Sequence, residues 1–383
     1  MNQLPLYVAI PLGAAFLIPV VGIWWKKSAE ALATITTLVL AAMAVMSIGA
    51  PAVVHHMGGW TAPLGIALVG DGLSTLLLIA VNAVAFLCIV FSIRYMTVYT
   101  GLPKYYSLFM LMVAGMNGVV VSGDLFNLFV FLEIASVASY ALVAFGVEAD
   151  ELEAGFKYMI LGSVDSVMIL FAVGTVYAVT GTLNMADAAR EIATRFGGSN
   201  MNPALLLAAA FFLMGFGLKA ALVPFHAWLP DAHPSAPAPV SAMLSGVVIK
   251  SLGVYAICRV MFNVFGFASE APSSVIIANS MIWFSVLSIV IGGLLAIGQW
   301  DFKRLLAYSS IGQIGYVMLG IGVGARVLAT GGTRSLAALA ILGGLFHLLN
   351  HAAFKSLLFL SSGAIQHATG TRDMKMLSGL NKR

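Results

Sequence analysis

The chain has 383 residues, 61% of them hydrophobic and only 9% charged, and its mean hydropathy is +1.00. One soluble core cannot bury that much apolar surface, so most of it must face lipid or other buried helices. The net charge of +4 is scattered over loops, which argues against nucleic-acid binding, and two cysteines inside apolar segments, Cys88 and Cys258, argue against a disulfide framework or a thiolate metal cluster.

Apolar windows long enough to cross a bilayer recur eleven times, near 4–24, 31–50, 72–93, 105–122, 125–146, 157–180, 203–225, 239–263, 274–298, 304–324 and 336–365. Backbone polar groups must be satisfied inside lipid, and no stretch alternates as a membrane barrel strand would, so the fold class is an all-α polytopic membrane protein. The first window has no basic residue before it and contains Pro5, Pro11 and Pro19, which reads as a retained helix and not a cleaved signal. The last is long enough to tilt or to project beyond the lipid. The polar loop 181–202 carries Met185, Ala189, Ile192 and Phe196 at spacings of three and four, which predicts a short surface helix capped by Asn184. The segment Glu148–Glu153 reads as an acidic loop.

Lysine and arginine set the expected orientation. With the N-terminus outside, the inner loops hold Lys26, Lys27, Arg94, Lys104, Lys303, Arg304, Arg372, Lys375, Lys382 and Arg383, against Arg190, Arg195, Arg259, Arg326 and Arg334 on the outer side. That asymmetry favours an external N-terminus and an internal end for this chain.

Glu133, Lys219, Lys250 and Lys355 fall well inside the spans, and Asp165, His226, His347 and His351 belong with them. A charge at the bilayer centre costs about 2.5–3.5 kcal/mol on insertion scales, so several in one chain point to an ion pathway. Lys157, at the edge of its span, can instead extend to the interface. His347, His351 and Lys355 recur four apart on one helix face. Two such histidines fit zinc, but no acidic or thiol ligand follows and a lysine shares the face, so a proton relay is the better reading. If Glu133 lies beside Lys219 the amine stays charged, and if the carboxylate leaves, Lys219 can pass its proton towards Lys250 or a histidine. A fixed Glu133–Lys219 structural pair is the competing reading. Asp165 is expected to bind a cation or tune that pair.

The stretch GLKAALVPFHAWLPDAHPSAP (217–237) begins as a membrane helix and is then broken by Pro224, five residues after Lys219. Freed carbonyls beside a lysine are a common way for transporters to build an ion site at a discontinuous helix. There is no CxxC, no GxGxxG after a strand and no haem framework, so no cofactor is expected.

Four segments, GDLFNLFVFLEIASVASYALV (123–143), FGLKAALVPFHAWLPDAHPSAPAPVSAMLSGVVIKSLGVYAICR (216–259), DFKRLLAYSSIGQIGYVMLGIG (301–322) and LLNHAAFKSLLFLSSGAI (348–365), resemble the antiporter-like proton-translocating membrane subunits. That family covers large membrane subunits of respiratory complex I, relatives in membrane-bound hydrogenases, and Mrp-type cation/proton antiporters. GDLFNLFVFLE and TGTLNMADAA look most like the D component of Mrp antiporters. The resemblance implies that Glu133 is the glutamate of the fifth helix, Lys219 the lysine of a broken seventh and Lys250 the bridging lysine of the eighth, with His347, His351 and Lys355 on the eleventh. It implies inverted five-helix repeats, here an N-terminal part (1–104), a first repeat (105–265) and an incomplete second (274–383), since relatives continue beyond RDMKMLSGLNKR into another broken helix. The partners implied are other membrane subunits of a multisubunit complex in a bacterial or archaeal cytoplasmic membrane, with quinone and flavin chemistry left to those subunits. The expected function is proton translocation, alone or exchanged for sodium. Membership of a complex I-like NADH–quinone oxidoreductase is the alternative, and a non-pumping structural subunit is a second.

Overall fold

The computed structural model describes residues 3–25, 27–196, 201–267 and 271–378. Lys26, Lys382 and Arg383, which entered the charge count, lie outside the described residues. Helix α1 (Leu6–Val21) and α2 (Ser28–Met46) lead into a small antiparallel hairpin, β1 (Val53–His56) with β2 (Ala67–Gly70), which the hydropathy pattern did not predict. Then come α3 (Gly72–Tyr95), α4 (Leu102–Val121), α5 (Leu125–Val143) and α6 (Ala149–Thr180). The surface helix α7 (Met185–Phe196) forms as its periodicity required, with Met185 and Ile192 buried and Asn184 accepting from the backbone N–H groups of Ala186 and Asp187.

Helix α8 (Pro203–Lys219), the short α9 (Leu229–Ser235) and α10 (Ala238–Met243) follow. α10 runs directly into a π-helical stretch, Leu244–Tyr255, one α-turn, α11 (Ala256–Cys258), and a second π stretch, Arg259–Phe265. The long helices α12 (Pro272–Ile297), α13 (Phe302–Ala329) and α14 (Arg334–Thr369) complete the chain. Among the described residues, nine helices are long and apolar enough to cross a membrane, and the shorter apolar α1 and α8 bring the crossings to eleven. An odd number of crossings puts Leu6 on the face that carries the hairpin and Thr369 on the opposite face. The 238–265 span is buried at every residue but Phe262 and Asn263 near its end and forms the axis of the bundle, whereas α6, α12 and α14 present Val167, Trp283 and Leu339 outward, as lipid-facing surfaces do.

Several boundaries differ from the hydropathy reading for local reasons. The acidic segment 148–153 is not a loop: Glu148 caps α6 and pairs reciprocally with Glu151, so the helix starts about two turns before its apolar part. Asp71, Asp124 and Asp301 cap α3, α5 and α13, each accepting a backbone N–H at 2.9 Å.

The loops after α6 and α14 are built alike. TGTLNM (180–185) and TGTRDM (369–374) each start at a left-handed glycine, Gly181 (φ 77°) and Gly370 (φ 75°). In each, the first threonine hydroxyl donates to the second threonine's carbonyl at 3.1 Å. Each loop then bridges to the aspartate that caps another helix, Asn184 to Asp124 and Asp373 to Asp301. The first clasp lies on the hairpin face and the second on the opposite face.

Candidate functional site

Lys219 closes α8 and is 2% exposed. Its Nζ lies 2.9 Å from Asp165 Oδ1 and donates to Ser136 Oγ at 2.8 Å and Tyr140 OH at 3.0 Å. Two of the ammonium's N–H donors thus go to hydroxyls, and the carboxylate stands at ion-pair distance without a hydrogen bond of its own. Asp165, on α6, is fully buried, so the pair is a buried ion pair within the bundle's first half. The expected direct partner, Glu133, is not the counter-ion. It stands one residue aside, accepting at 2.5 Å from the hydroxyl of Ser166, next in sequence to Asp165. The three residues share one stripe of α5, at i, i+3 and i+7, so the difference is one of level along the helix: Glu133 meets Ser166 of α6, while Ser136 and Tyr140, one and two turns on, reach Lys219. Glu133 is half-buried and lines a lateral groove of about 760 Å³ between α5 and α6, with Val137, Phe156 and Met159.

Past Lys219 the backbone breaks as Pro224 requires. Ala221 adopts a left-handed φ of 55°, the Val223–Pro224 peptide is cis, and Leu222 N–H donates back to Gly217 O at 2.9 Å. The freed carbonyl of Leu218 is not open to an ion: Trp228 Nε1 donates to it at 2.9 Å while the indole stacks on Tyr158 at 4.1 Å. Val223 N–H donates to Ser288 Oγ at 2.9 Å. Lys219 is the charged group at the break, and the Leu218 carbonyl before it is already taken. Gly253 is needed where the π-helical span crosses here, since a Cβ would fall 2.5 Å from Ala220 N. His226 lies in the turn below, half-buried.

A second group of polar side chains occupies the centre. Lys250 is fully buried and donates to the carbonyl of Ser245 at 2.5 Å. Ser245 Oγ shares a 2.7 Å hydrogen bond with Ser310 Oγ of α13. Lys355, 1% exposed on α14, donates to Leu306 O at 2.9 Å. One turn earlier, His351 is fully buried with both ring nitrogens unpartnered. His347 is half-buried, with Nε2 2.7 Å from Gln313 Oε1, and its ring centre is 6.4 Å from that of His351. The face predicted for His347, His351 and Lys355 therefore exists and points inward. Among the described residues, neither Lys250 nor Lys355 has a carboxylate within ion-pair distance.

Residue patterns did not single out His233 and Lys303. His233, on α9, is fully buried with both nitrogens unpartnered, stacked 4.5 Å from Phe359, and within electrostatic reach of Lys355, Lys303 and Lys250. Lys303 counted as a loop charge, yet it is 2% exposed and donates to Ala236 O at 2.8 Å. The signal available for both was their place at the edge of the proline-broken segment and of a span. Close to them, on the face opposite the hairpin, Asp150, Lys157, Asp231, Arg304 and Arg372 line a polar cavity of about 190 Å³. Lys157 reaches this rim, 2.7 Å from Glu153 and 3.2 Å from Asp231.

Arg259 also counted as a loop charge, and it too is buried. Its guanidinium binds Asp71 at 2.5 and 2.6 Å, at the floor of a hairpin-face cavity of about 400 Å³. Burial pushes the Asp71 carboxyl up, but the hydrogen bonds and charge of Arg259, with the Ser74 donors, outweigh it and hold the group at about 2.

The family model for NADH:quinone oxidoreductase/Mrp antiporter transmembrane subunits matches residues 122–383. The N component of the NADH-quinone oxidoreductase of Desulforudis audaxviator is 37% identical over 356 residues, covering 90% of this chain and 67% of that protein. The D component of the Na(+)/H(+) antiporter of Alkalihalophilus pseudofirmus is 34% identical over 333 residues, covering 86% and 62%. A solved structure of a membrane-bound sulfane sulfur reductase, an archaeal respiratory membrane complex, superposes with a TM-score of 0.85 at 31% identity, covering 99% of this chain and 74% of that one. The chain thus spans about two thirds of the length of the relatives it matches. With the broken helix at Lys219 and the family model covering more than half of the residues, the chain belongs to the NADH:quinone oxidoreductase/Mrp antiporter family of polytopic membrane subunits.

Proposed function

We propose that this chain moves protons across the membrane as one subunit of a larger complex, through Glu133, Asp165, Lys219, Lys250, His226, His347, His351 and Lys355. The observation that carries the reading is the central group: two lysines and two imidazoles, His233 and His351, buried with unpartnered nitrogens or single carbonyl contacts and no carboxylate beside the amines among the described residues. A purely structural polar cluster would be paired and satisfied. Unpaired cations in a low-dielectric interior cannot all be charged together, which leaves neutral amines and imidazoles in the cluster as acceptors for a passing proton. The Lys219–Asp165 pair adds a carboxylate that can hold or release the amine, and Ser166 links it to Glu133 at the lateral groove.

Protons would enter from the polar cavity around Asp231 and Arg372, pass His233 and Lys303, and reach Lys355, His351 and Lys250. Three of the ten lysines and arginines assigned to the inner side lie outside the described residues, and the remaining seven still outnumber the five on the hairpin side. We therefore place the hairpin face outside, as the N-terminus was. The division into residues 1–104, 105–265 and 274–383 is consistent with the two clasps. A second reading, membership of an NADH–quinone oxidoreductase, is favoured by the identity with the N component of such an enzyme; it shares the pathway and differs in the partner that drives it.

The test uses the intact complex reconstituted in vesicles. Lys250→Ala and Lys355→Ala are each expected to reduce driven proton uptake by about a hundredfold with assembly unchanged. Assembled variants that transport as the wild type would leave the structural-subunit reading standing. Repeating the assay with and without sodium separates exchange from proton movement alone.

A further inference from the structure

The π-helical span carries a row of polar residues at unusual spacing: Ser245, Lys250, Tyr255, Arg259 and Asn263, at intervals of five, five, four and four. On an α-helix such intervals spread round the surface. An i→i+5 ladder, with more than four residues per turn, brings them to one side. This row runs from the central lysine to the hairpin-face cavity, whose lining includes Asp71, Arg259, Asn263 and His56.

Arg259 stands between the cavity and the row, and each of its three nitrogens is engaged as a donor. Nε donates to Tyr255 OH at 2.7 Å, and one terminal nitrogen donates to Asp71 Oδ2 at 2.6 Å and Asn263 Oδ1 at 3.4 Å. The other donates to Asp71 Oδ1 at 2.5 Å and Ser74 Oγ at 2.8 Å. Tyr255 in turn donates to the carbonyl of Val120. The tyrosine proton is therefore committed to the backbone, and its oxygen is committed to the guanidinium. Neither is free to carry a proton between Lys250 and the cavity. The side chain of Arg259 is 7% exposed and that of Asp71 32%, so the positive end of the pair faces the row and the negative end the cavity. A guanidinium keeps its charge at any physiological pH, and a fixed arginine is a known means of excluding protons and cations from a pore.

We propose, resting on the transport reading above, that the Asp71–Arg259 clamp is an electrostatic barrier closing the hairpin-face end of the π-helical row. It keeps hydronium and small cations in the hairpin-face cavity from returning to Lys250. Arg259 is a positioning and barrier residue, not a proton carrier.

The test measures passive entry. Vesicles containing the intact complex, with the driving reaction off, receive a pH jump on the side that the hairpin face meets, and an internal dye reports proton entry. Arg259→Gln is expected to raise entry by roughly tenfold, Arg259→Lys to stay near wild type, and adding Lys250→Ala to Arg259→Gln to remove the extra entry. The proposal is overturned if assembled Arg259→Gln leaks no faster than wild type, if the lysine variant leaks as much as the glutamine one, or if the leak survives Lys250→Ala. Should Arg259→Gln fail to assemble, Tyr255→Phe and Asp71→Asn replace it: faster entry in either supports the barrier, and wild-type entry in both removes it. Driven uptake by wild-type vesicles is measured in the same batch. If that uptake is nil, the transport reading fails on its own, while the leak comparison still judges the clamp.

Discussion

At the scale of residues, the identity of the carboxylate beside Lys219 matters most. Ser136 and Tyr140 are neutral, so among the described residues Asp165 alone balances that ammonium at contact distance. Removing one partner of a buried pair leaves the other charge uncompensated, at about 3–5 kcal/mol. Asp165→Asn is accordingly expected to lower the thermal midpoint of the purified protein markedly, whereas Glu133→Gln, whose carboxylate meets the lateral groove and one serine hydroxyl, should shift it little. A melting comparison in detergent checks this, and equal shifts would show that Glu133 also bears on the pair. The sequence revealed which residues are ionisable and deep, because a charged residue within an apolar run is visible without coordinates. It did not reveal which of them touch. That depends on how far α5, α6 and α8 are shifted along one another, because Glu133, Ser136 and Tyr140 lie on one stripe of α5 and a shift of one or two turns exchanges them. Arg259 and Lys303 misled for a related reason: near a span end, a snorkelling side chain and an inward-folded one look the same in sequence.

At the scale of elements, the eleven crossings were legible because hydropathy needs only composition over a window. The hairpin β1–β2 was not, being short, partly exposed and without a clean alternating pattern. Nor was the ladder of the 238–265 span, since hydropathy is blind to whether hydrogen bonds close four or five residues back. The passage of that span over the break at Lys219 depends on the missing side chain of Gly253. Gly253→Ala puts a methyl 2.5 Å from Ala220 N, closer than any relaxed contact. Because two backbones meet there, the strain has no flexible side chain to absorb it. The substitution is expected to cost about 1–3 kcal/mol and to lower driven proton uptake more than a Gly→Ala change at Gly174, where nothing lies within 4 Å. Matched midpoints and transport assays on the two variants decide it.

At the scale of the whole molecule, the bundle places a cavity on each face, the one opposite the hairpin being the polar one, and the buried lysines between them. Sidedness then determines the direction of any flow. Both native thiols, Cys88 and Cys258, are buried, so single cysteines can be introduced without a labelling background. Leu64→Cys, in the hairpin loop where the leucine is 85% exposed, should react with a membrane-impermeant maleimide in whole cells. Met376→Cys, where the methionine is 72% exposed on the other face, should react only after lysis. The reverse pattern would invert the orientation and, with it, the side on which the arginine clamp stands.

The two threonine clasps bear on this same question of sidedness. Each satisfies its own backbone and docks on an aspartate cap, so the same turn is at home in either aqueous compartment. A duplicated segment that is reused upside down needs joints of this indifferent kind. The fold of the joints is therefore silent on topology, and the choice of direction in the bilayer falls on the lysines and arginines of the connecting loops, Arg372 in the second joint among them.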